Sequence, residues 1–273
     1  MKSKSIDMSV VSQEDKINSF IERSGNGFHY RVVNFLREQG WKVSVSPYYS
    51  DYASEKAKEI DLIAEKLFQV TEHWGKQIGC LRVRLFVECK YINDDIAFWF
   101  DDKEVGQPRE LVLRNTPFDD NNSKTDSHHY LTETRAAKLF STNGNKEDVI
   151  FKALTQSLHS MIYFRNKTVP IRWDKMYCTN TAIVNYPIIL CDGFNRFHKV
   201  DGDLGSDHGP IKNDSFQLEV NYAYRNEAQR DQNEYFLVDV VDFSKFSDFL
   251  KGLEEGEIAE MKDLLSWKWD KDE

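Results

Sequence analysis

The chain has 273 residues, of which 40% are hydrophobic and 13% aromatic, so it can bury a substantial core in one large or two small domains. No apolar run approaches the roughly 18 residues of a membrane span, and the N-terminal "MKSKSIDMSVVSQEDK" lacks the apolar region of a signal peptide. The sequence therefore predicts a soluble, cytoplasmic protein with no membrane partner.

The charge balance limits the classes of nucleic-acid-binding protein to which the chain could belong. Its formal net charge is -9 and its pI is near 5.4. Nonspecific affinity for nucleic acid comes mostly from lysine and arginine side chains that neutralise phosphates, so this balance argues against a constitutive, tight DNA binder. It does not exclude an enzyme whose basic residues are concentrated locally, or one that needs a divalent cation to offset its own carboxylates.

The four cysteines are Cys80, Cys89, Cys178 and Cys191. Their spacing contains no C-x-x-C pair, so it suggests neither a zinc ribbon nor a disulfide framework. We expect four free thiols, which fits a reducing cytoplasm.

The first predicted element is a helix within "SGNGFHYRVVNFLREQGWKV". Phe28, Val32, Phe35 and Leu36 recur at helical spacing, and Gly40 follows where a helix often ends. The next segment, "WKVSVSPYY", alternates like a strand, and two further strands are expected in "EIDLIAEKLFQV" and "RVRLFVECKY".

A long insertion from about residue 94 to 146 follows, and it is too polar in places to belong to a core. After it, "KEDVIFKALTQSLHSMIYFRN" predicts a strong helix, "YPIILCDG" and "EYFLVDVVDF" predict buried strands, and "FSDFLKGLEEGEIAEMKDLLSW" predicts one or two terminal helices. This order of helices and strands indicates a mixed α/β layer structure.

The two strands before the insertion carry acidic residues among apolar ones. Alternate residues of a strand face the same way, so Arg84, Phe86, Glu88 and Lys90 form one row and Val83, Leu85, Val87 and Cys89 form the other. If the two strands pair as an antiparallel hairpin, Asp61 lies opposite Glu88. Two carboxylates this close repel each other, and a hard divalent cation such as magnesium would relieve the repulsion.

The arrangement of one acid, Asp61, followed by a long spacer and then by Glu-x-Lys on a strand, at Glu88 to Lys90, resembles the PD-(D/E)xK nuclease superfamily. The first helix and the strand after it are similar to those of the Mrr-like restriction endonuclease branch, and the resemblance runs from about residue 25 to 91. It implies an α/β, restriction-endonuclease-like three-layer fold, in which a central mixed β-sheet is flanked by helices. Residues 1 to 273 would then form a single nuclease-like domain that carries the polar insertion.

The resemblance also implies roles for individual residues. Asp61 and Glu88 would bind magnesium, with manganese as a substitute, and the backbone carbonyl of Cys89 would complete that side of the shell. Lys90 would orient or deprotonate the attacking water and stabilise charge on the phosphorane. Gln156, in the later helix, matches a glutamine that some branches place near the site. Ordinary alternatives stay open: solvated strand charges, a core cysteine and a helical surface glutamine.

The chain departs from the family at His29, where Mrr-like proteins usually carry a glutamate. His29 could ligate the metal directly or hydrogen-bond a metal-bound water, and a satisfied core histidine is about equally compatible with the sequence.

The insertion contains a loose basic series that could reach phosphates beside the site. Its members are Arg109, Arg114, Lys124, His128, His129, Arg135 and Lys138. By itself "SHHY" is too short for a metal motif.

The sequence thus predicts a metal-dependent endonuclease that acts on DNA, in a restriction or phage-defence setting. No separate recognition domain is visible, so specificity would come from a partner protein, a homo-oligomer or the insertion. RNA and branched DNA stay open as substrates. The alternative is a noncatalytic nucleic-acid or protein-binding module that retains the nuclease fold.

Overall fold

The computed structural model describes residue 17 and residues 26–121, 123–143, 149–173, 178–201 and 207–271. The helices in these ranges are α1 (Asn26–Glu38), α2 (Gln107–Asn115), α3 (His129–Thr132), α4 (Val149–Phe164), α5 (Phe246–Glu255) and α6 (Glu257–Asp270). Short 3-10 turns lie at Ser123–Ser127 and Phe243–Lys245.

Within the same ranges, the strands are β1 (Lys42–Val45), β2 (Tyr48–Asp51), β3 (Lys56–Glu59), β4 (Leu62–Thr71), β5 (Gln77–Lys90), β6 (Ile96–Asp102), β7 (Arg135–Thr142), β8 (Asn180–Cys191), β9 (Phe197–Asp201), β10 (Asp207–Pro210), β11 (Ser215–Arg225) and β12 (Asp231–Asp242). Ten of them form one mixed sheet in the order β1-β4-β5-β8-β12-β11-β7-β6-β9-β10. Strands β2 and β3 pair separately as an antiparallel hairpin.

Helix α1 forms where the apolar spacing predicts it. Phe28, Val32 and Leu36 are buried on its inner face, and Phe35 packs against the same core. The chain leaves the helix through Gly40, whose φ of 81° lies in the left-handed region that favours glycine. This exit directs the chain into β1.

Strand β5 lies inside the sheet between β4 and β8, and it is buried because helices cover both of its faces. On one face α4 covers it: the Ser157 hydroxyl donates to the carbonyl of Phe86 at 2.9 Å, and the Phe86 and Phe164 rings stack. The other face is covered by α1 and α6, and α1 meets α5 through Phe35 and Phe246. The arrangement is α/β with helices on both faces of a large mixed sheet, as expected for a three-layer fold.

The segment from residue 94 to 146 contributes to the core. Its strands β6 and β7 belong to the large sheet, and Ile96, Phe98, Ala136 and Ala137 are fully buried. The expectation of polar surface structure therefore holds for parts of this segment and is wrong for its two strands. The sequence did not indicate β6 and β7 because their short apolar runs alternate with polar loops.

The terminal segment forms two helices. Helix α5 ends and α6 begins around Gly256, where a Cβ atom would lie 2.7 Å from the carbonyl oxygen of Gly252. A larger residue would clash with this carbonyl, so glycine permits the break.

Cys80 and Cys178 form a disulfide across 98 residues of sequence, while Cys89 and Cys191 are free. The expectation of four free thiols is wrong for this pair. The parallel pairing of β5 with β8 sets Gly79 beside Asn180, which brings Cys178 next to Cys80. Disulfides are rare in cytosolic proteins, so the cytoplasmic location loses the support that free thiols gave it and stays a prediction.

In the ranges that the structure describes, no helix is both long and apolar enough to cross a membrane.

Candidate active site

The two strands with acidic residues pair as the sequence predicts. Strands β4 and β5 are antiparallel, and Leu62 at the start of β4 lies opposite Val87. Asp61, the residue before β4, therefore lies opposite Glu88. This point is near the end of β5, where the chain leaves the sheet. This register brings the two carboxylates together.

Backbone amides hold both carboxylates in place. The amide of Asp61 donates to Oε1 of Glu88 at 3.2 Å, and the amide of Cys89 donates to Oδ2 of Asp61 at 2.8 Å. Each acid thus accepts a hydrogen bond from the opposite strand or its extension. Their relative position is fixed by main-chain geometry rather than by side-chain rotamers alone.

Lys90 lies between the two acids. Its Nζ is 2.6 Å from Oε2 of Glu88 and 3.6 Å from Oδ2 of Asp61. The Glu88 side chain is 0% exposed, whereas that of Asp61 is 26% exposed, so the group opens to solvent on the Asp61 side. A ligand can approach from this side without unfolding the strand pair.

Burial controls the charges of this group. It raises the pKa of Glu88 to about 8, against the attraction of Lys90, and the negative charge of Asp61 raises it further. Burial also opposes the charge on Lys90, but Glu88 and Asp61 outweigh it and raise the lysine pKa. Lys90 therefore stays protonated at neutral pH, while Glu88 is close to its titration point.

His29 contacts the backbone of the site. Its Nε2 lies 3.0 Å from the carbonyl oxygen of Asp61. A carbonyl oxygen can only accept, so Nε2 carries the proton and donates it. The same carbonyl accepts from the amide of Ser46 at 2.9 Å. This geometry favours a positioning role for His29, and direct ligation of a metal stays a prediction.

Gln156 also binds the segment that enters the site. Its Nε2 donates to the carbonyl of Glu59 at 3.0 Å, from the helix that covers Glu88. Its Oε1 is buried and has no hydrogen-bond partner among the described residues. The structure thus brings Gln156 to the strand entry beside Asp61, and it leaves one buried acceptor available there.

The donor set suits a hard divalent cation. Asp61 and Glu88 are carboxylates fixed within reach of one lysine, and one of them faces solvent. Mg²⁺ typically takes one or two carboxylates and completes its shell with water and phosphate oxygens. The thiol of Cys89 does not compete for this role, because burial raises its pKa well above the ordinary value. Only the Cys89 carbonyl would take part.

The basic series of the 94–146 segment does not lie beside these carboxylates. Strand β7, which holds Arg135 and Lys138, is the fourth strand from β5, or roughly 19 Å away at ordinary strand spacing. The series pairs with carboxylates instead: Arg109 with Asp120 and Asp126, Arg114 with Glu234, Lys124 with Glu260, Arg135 with Asp201, Lys138 with Glu219, and both histidines with Glu257. The structure therefore gives no support to a free basic surface at the site.

A second polar cluster lies on the opposite face of the sheet. The ring of His129 lies between two carboxylates, with Nδ1 2.7 Å from Oε2 of Glu257 and Nε2 3.2 Å from Oδ2 of Asp239. Burial opposes the charge on His129, but Glu257 and Asp239 raise its pKa to about 10. The pKa of Glu257 falls to about 2 despite burial, because His129 and His128 attract its charge.

Ligand atoms of His128, His129 and Glu257 lie within 4.8 Å of one another, so this second cluster is a possible metal-binding group. Both nitrogens of His129 face carboxylates and carry protons. Nδ1 of His128 accepts from the amide of Tyr130 at 3.1 Å, so its other nitrogen holds the proton. In this state neither ring offers a free lone pair, so a metal ion would have to displace a proton on binding. The cluster therefore connects the segment around His129 to β12 and α6 through Asp239 and Glu257. The one feature of the sequence that could have indicated it is the aspartate, Asp239, inside the apolar run "FLVDVV".

Comparison with protein-family models, with curated proteins and with solved structures finds no match to this chain.

Proposed function

We propose that the chain is a metal-dependent endonuclease that hydrolyses phosphodiester bonds, with DNA as the first candidate substrate. The observation that carries this proposal is the meeting of Asp61, Glu88 and Lys90 at one partly open point, where backbone hydrogen bonds fix both acids. A solvated strand edge would leave these groups exposed. Burying an acid with a lysine costs desolvation energy, which is characteristic of functional sites.

Asp61 and Glu88 would hold Mg²⁺, or Mn²⁺ as a substitute, with the Cys89 carbonyl on the same side. Such an ion supplies Lewis-acid chemistry: it lowers the pKa of bound water and offsets charge on the phosphate. Lys90 remains protonated, since its pKa is raised, so it orients the attacking water and stabilises negative charge at the reacting phosphate. It is poorly suited to accept a proton.

His29 and Gln156 act in this proposal as positioning residues. They bind the carbonyls of Asp61 and Glu59 from α1 and α4, on opposite faces of the sheet. Together they hold the short segment that carries Asp61 between two helices. The carboxylate thus keeps its place when the charge of the site changes.

The second candidate function is a noncatalytic binding module that retains this arrangement. The net charge of -9 and the pairing of basic side chains with carboxylates favour it. A module without catalysis has no use for a buried, raised-pKa glutamate beside a lysine, and this contrast favours the enzyme. Partner proteins, self-association and a restriction or phage-defence setting belong to the same proposal and follow from the resemblance alone.

The test is incubation of the purified protein with supercoiled plasmid, linear duplex, single strand and RNA, each with Mg²⁺, Mn²⁺ or EDTA. We expect cleavage of at least one substrate with metal, none with EDTA, and none by the Glu88→Gln variant. The absence of cleavage in every metal condition would favour the binding module. Cleavage that persists in the Glu88→Gln variant would place the active site elsewhere.

A further inference from the structure

The second polar cluster opens into a cavity. His129, Asp239 and Glu257 line a cavity of about 490 Å³, whose walls include residues of β11, β12, α5 and α6. The side chains of Asp239 and Glu257 are each 2% exposed, whereas that of His129 is 21% exposed. The His129 ring is therefore the most accessible member of the cluster for a ligand that enters the cavity.

One polar atom in the wall of this cavity lacks a partner among the described residues. Gln217 is 8% exposed and lies opposite Asp239 in the antiparallel pairing of β11 with β12, so both side chains project from the same face of the sheet. Its Nε2 donates to the carbonyl of His129 at 3.2 Å, which fixes the orientation of the amide. Its Oε1 is the buried atom without a partner. Such an acceptor costs free energy unless a ligand satisfies it.

Glu257 uses both of its oxygens and holds the His129 ring. Oε2 of Glu257 accepts from the backbone amide of His129 at 2.8 Å and from Nδ1 at 2.7 Å. Oε1 accepts from the hydroxyl of Tyr186 and lies 3.4 Å from Nε2 of His128. Metal-binding histidines commonly donate their second ring nitrogen to a carboxylate in this way, which fixes the ring and its tautomer. Nε2 of His129 is therefore the nitrogen that remains for a metal ion.

The spacing at this nitrogen fits a tetrahedral ion. Nε2 of His129 lies 3.2 Å from Oδ2 of Asp239. Two ligand atoms that are each about 2.0 to 2.2 Å from a tetrahedral Zn²⁺ lie roughly 3.3 to 3.6 Å apart, so an ion between them needs only a small adjustment. Imidazole suits Zn²⁺, whereas Mg²⁺ takes oxygen ligands. The cluster thus differs in its chemistry from the carboxylate pair of Asp61 and Glu88.

We propose that Nε2 of His129, Oδ2 of Asp239 and Oε1 of Gln217 bind a Zn²⁺ ion. The ion takes the place of the proton on Nε2, which leaves to solvent, and Glu257 acts as a positioning residue for the ring. Three protein ligands leave the fourth position of a tetrahedral ion to water or to an anionic ligand in the cavity. This site lies on the opposite face of the sheet from Glu88, so it does not depend on the proposed nuclease function.

Isothermal titration of the tag-free, full chain with ZnCl₂ measures the binding. A non-reducing buffer keeps the disulfide between Cys80 and Cys178 closed, so that its thiols do not bind the ion. Excess Mg²⁺ competes for the pair of Asp61 and Glu88. We expect one Zn²⁺ to bind per chain. Titration with Co²⁺ should give the visible absorption bands of a four-coordinate ion, which identify the geometry.

Single substitutions test the three ligands. His129→Gln and Asp239→Asn should each weaken Zn²⁺ binding by roughly 100-fold or more, since loss of an outer partner alone costs about 10- to 100-fold. Gln217→Met removes the acceptor and should weaken binding by roughly 10-fold, whereas Gln217→Glu should strengthen it, because a carboxylate replaces an amide. A variant that only disturbed the fold would not gain affinity. Glu88→Gln tests whether the ion binds at the other carboxylates, and it should bind Zn²⁺ as the wild type does.

No binding of Zn²⁺ by the wild type, or equal binding by the wild type and His129→Gln, would overturn the proposal. Loss of Zn²⁺ binding in Glu88→Gln would place the ion beside Asp61 and would overturn it as well. An unchanged affinity in both Gln217 variants would overturn the site with three protein ligands.

Discussion

The amide of Asp61 donates a hydrogen bond to Oε1 of Glu88 at 3.2 Å, so the backbone of one proposed ligand holds the side chain of the other. The positions of the two acids are therefore coupled through the backbone. Substitution of Glu88 therefore removes or alters a hydrogen bond to the backbone of Asp61.

The first prediction concerns the cation. Mg²⁺ should raise the melting temperature of the wild-type protein, because a ligand that binds only the folded state stabilises it. Asp61→Asn and Glu88→Gln should each abolish cleavage and most of this Mg²⁺-dependent rise. Lys90→Ala should abolish cleavage but keep or increase the rise, since lysine is not a ligand and its charge opposes the cation. The measurement is the melting temperature of the wild type and the three variants, with and without Mg²⁺.

An equal Mg²⁺-dependent rise in the wild type, Asp61→Asn and Glu88→Gln would mean that the cation binds elsewhere. Lys251→Ala is a suitable control, because this exposed lysine pairs with Glu255 within α5 and should change neither quantity.

The second prediction concerns the pH dependence of Glu88. Its folded pKa of about 8 lies above the ordinary value of 4.5, so the folded protein holds this proton more tightly than the unfolded chain does. The resulting stabilisation is fully present below about pH 4.5 and is lost as the pH rises through about 8. Glu88→Gln should therefore gain stability relative to the wild type by about 1 to 3 kcal/mol between pH 5 and pH 9.

Urea denaturation of both proteins across this range measures the difference. Because Mg²⁺ requires the ionised carboxylate, the Mg²⁺-dependent rise in melting temperature should also grow from pH 6 to pH 8.5. A pH-independent difference between the two proteins would show that Glu88 is ionised throughout.

The third prediction separates positioning from ligation at His29. If Nε2 donates to the Asp61 carbonyl, His29→Gln should retain much of the activity, because its amide can also donate. His29→Ala and His29→Glu should both lose activity, and added metal should not restore it. The measurement is the cleavage rate at several metal concentrations. Activity retained by His29→Glu, with rescue of His29→Ala by metal, would instead indicate ligation.

The fourth prediction concerns the His129 cluster. The raised pKa of about 10, against an ordinary 6.5, means that the stabilisation by the charged ring is fully present below about pH 6.5 and is lost as the pH rises through about 10. His129→Gln should cost about 3 kcal/mol at pH 7 and less at pH 10. Urea denaturation at pH 7, 8.5 and 10 checks this.

His128→Gln supplies the matched control. Burial lowers the pKa of His128 to about 3, so this ring is neutral throughout the range from pH 7 to pH 10. Its loss should cost the same at each pH. A parallel decline for both variants would contradict the charged state of His129.

The fifth prediction concerns the disulfide. Reduction with a phosphine, or the substitution Cys178→Ser, should lower the free energy of unfolding by about 2 to 4 kcal/mol, because the bond constrains a long loop of the unfolded chain. The reductant should have no further effect on Cys178→Ser. Equal stability of the oxidised and reduced wild type would show that the bond does not contribute.

The sequence by itself determined the local features of this protein. The spacing of Phe28, Val32 and Leu36 predicted α1, and alternation along β5 predicted that Glu88 and Lys90 share a face. Antiparallel pairing of the two neighbouring strands was sufficient to bring Asp61 to Glu88. These results depend on backbone periodicity and on one short turn, so residues close in the chain carry the information.

Only the tertiary structure decided which distant segments meet. Cys178 lies next to Cys80 because β8 lies beside β5 in the sheet. Asp239 contacts His129 because the segment before β7 packs on the face of β12 from which the Asp239 side chain projects. The order of strands is set by packing of the whole core, which no local pattern encodes. For the same reason, the basic series of the 94–146 segment looked available in the sequence, whereas the fold pairs it with carboxylates far from Asp61 and Glu88.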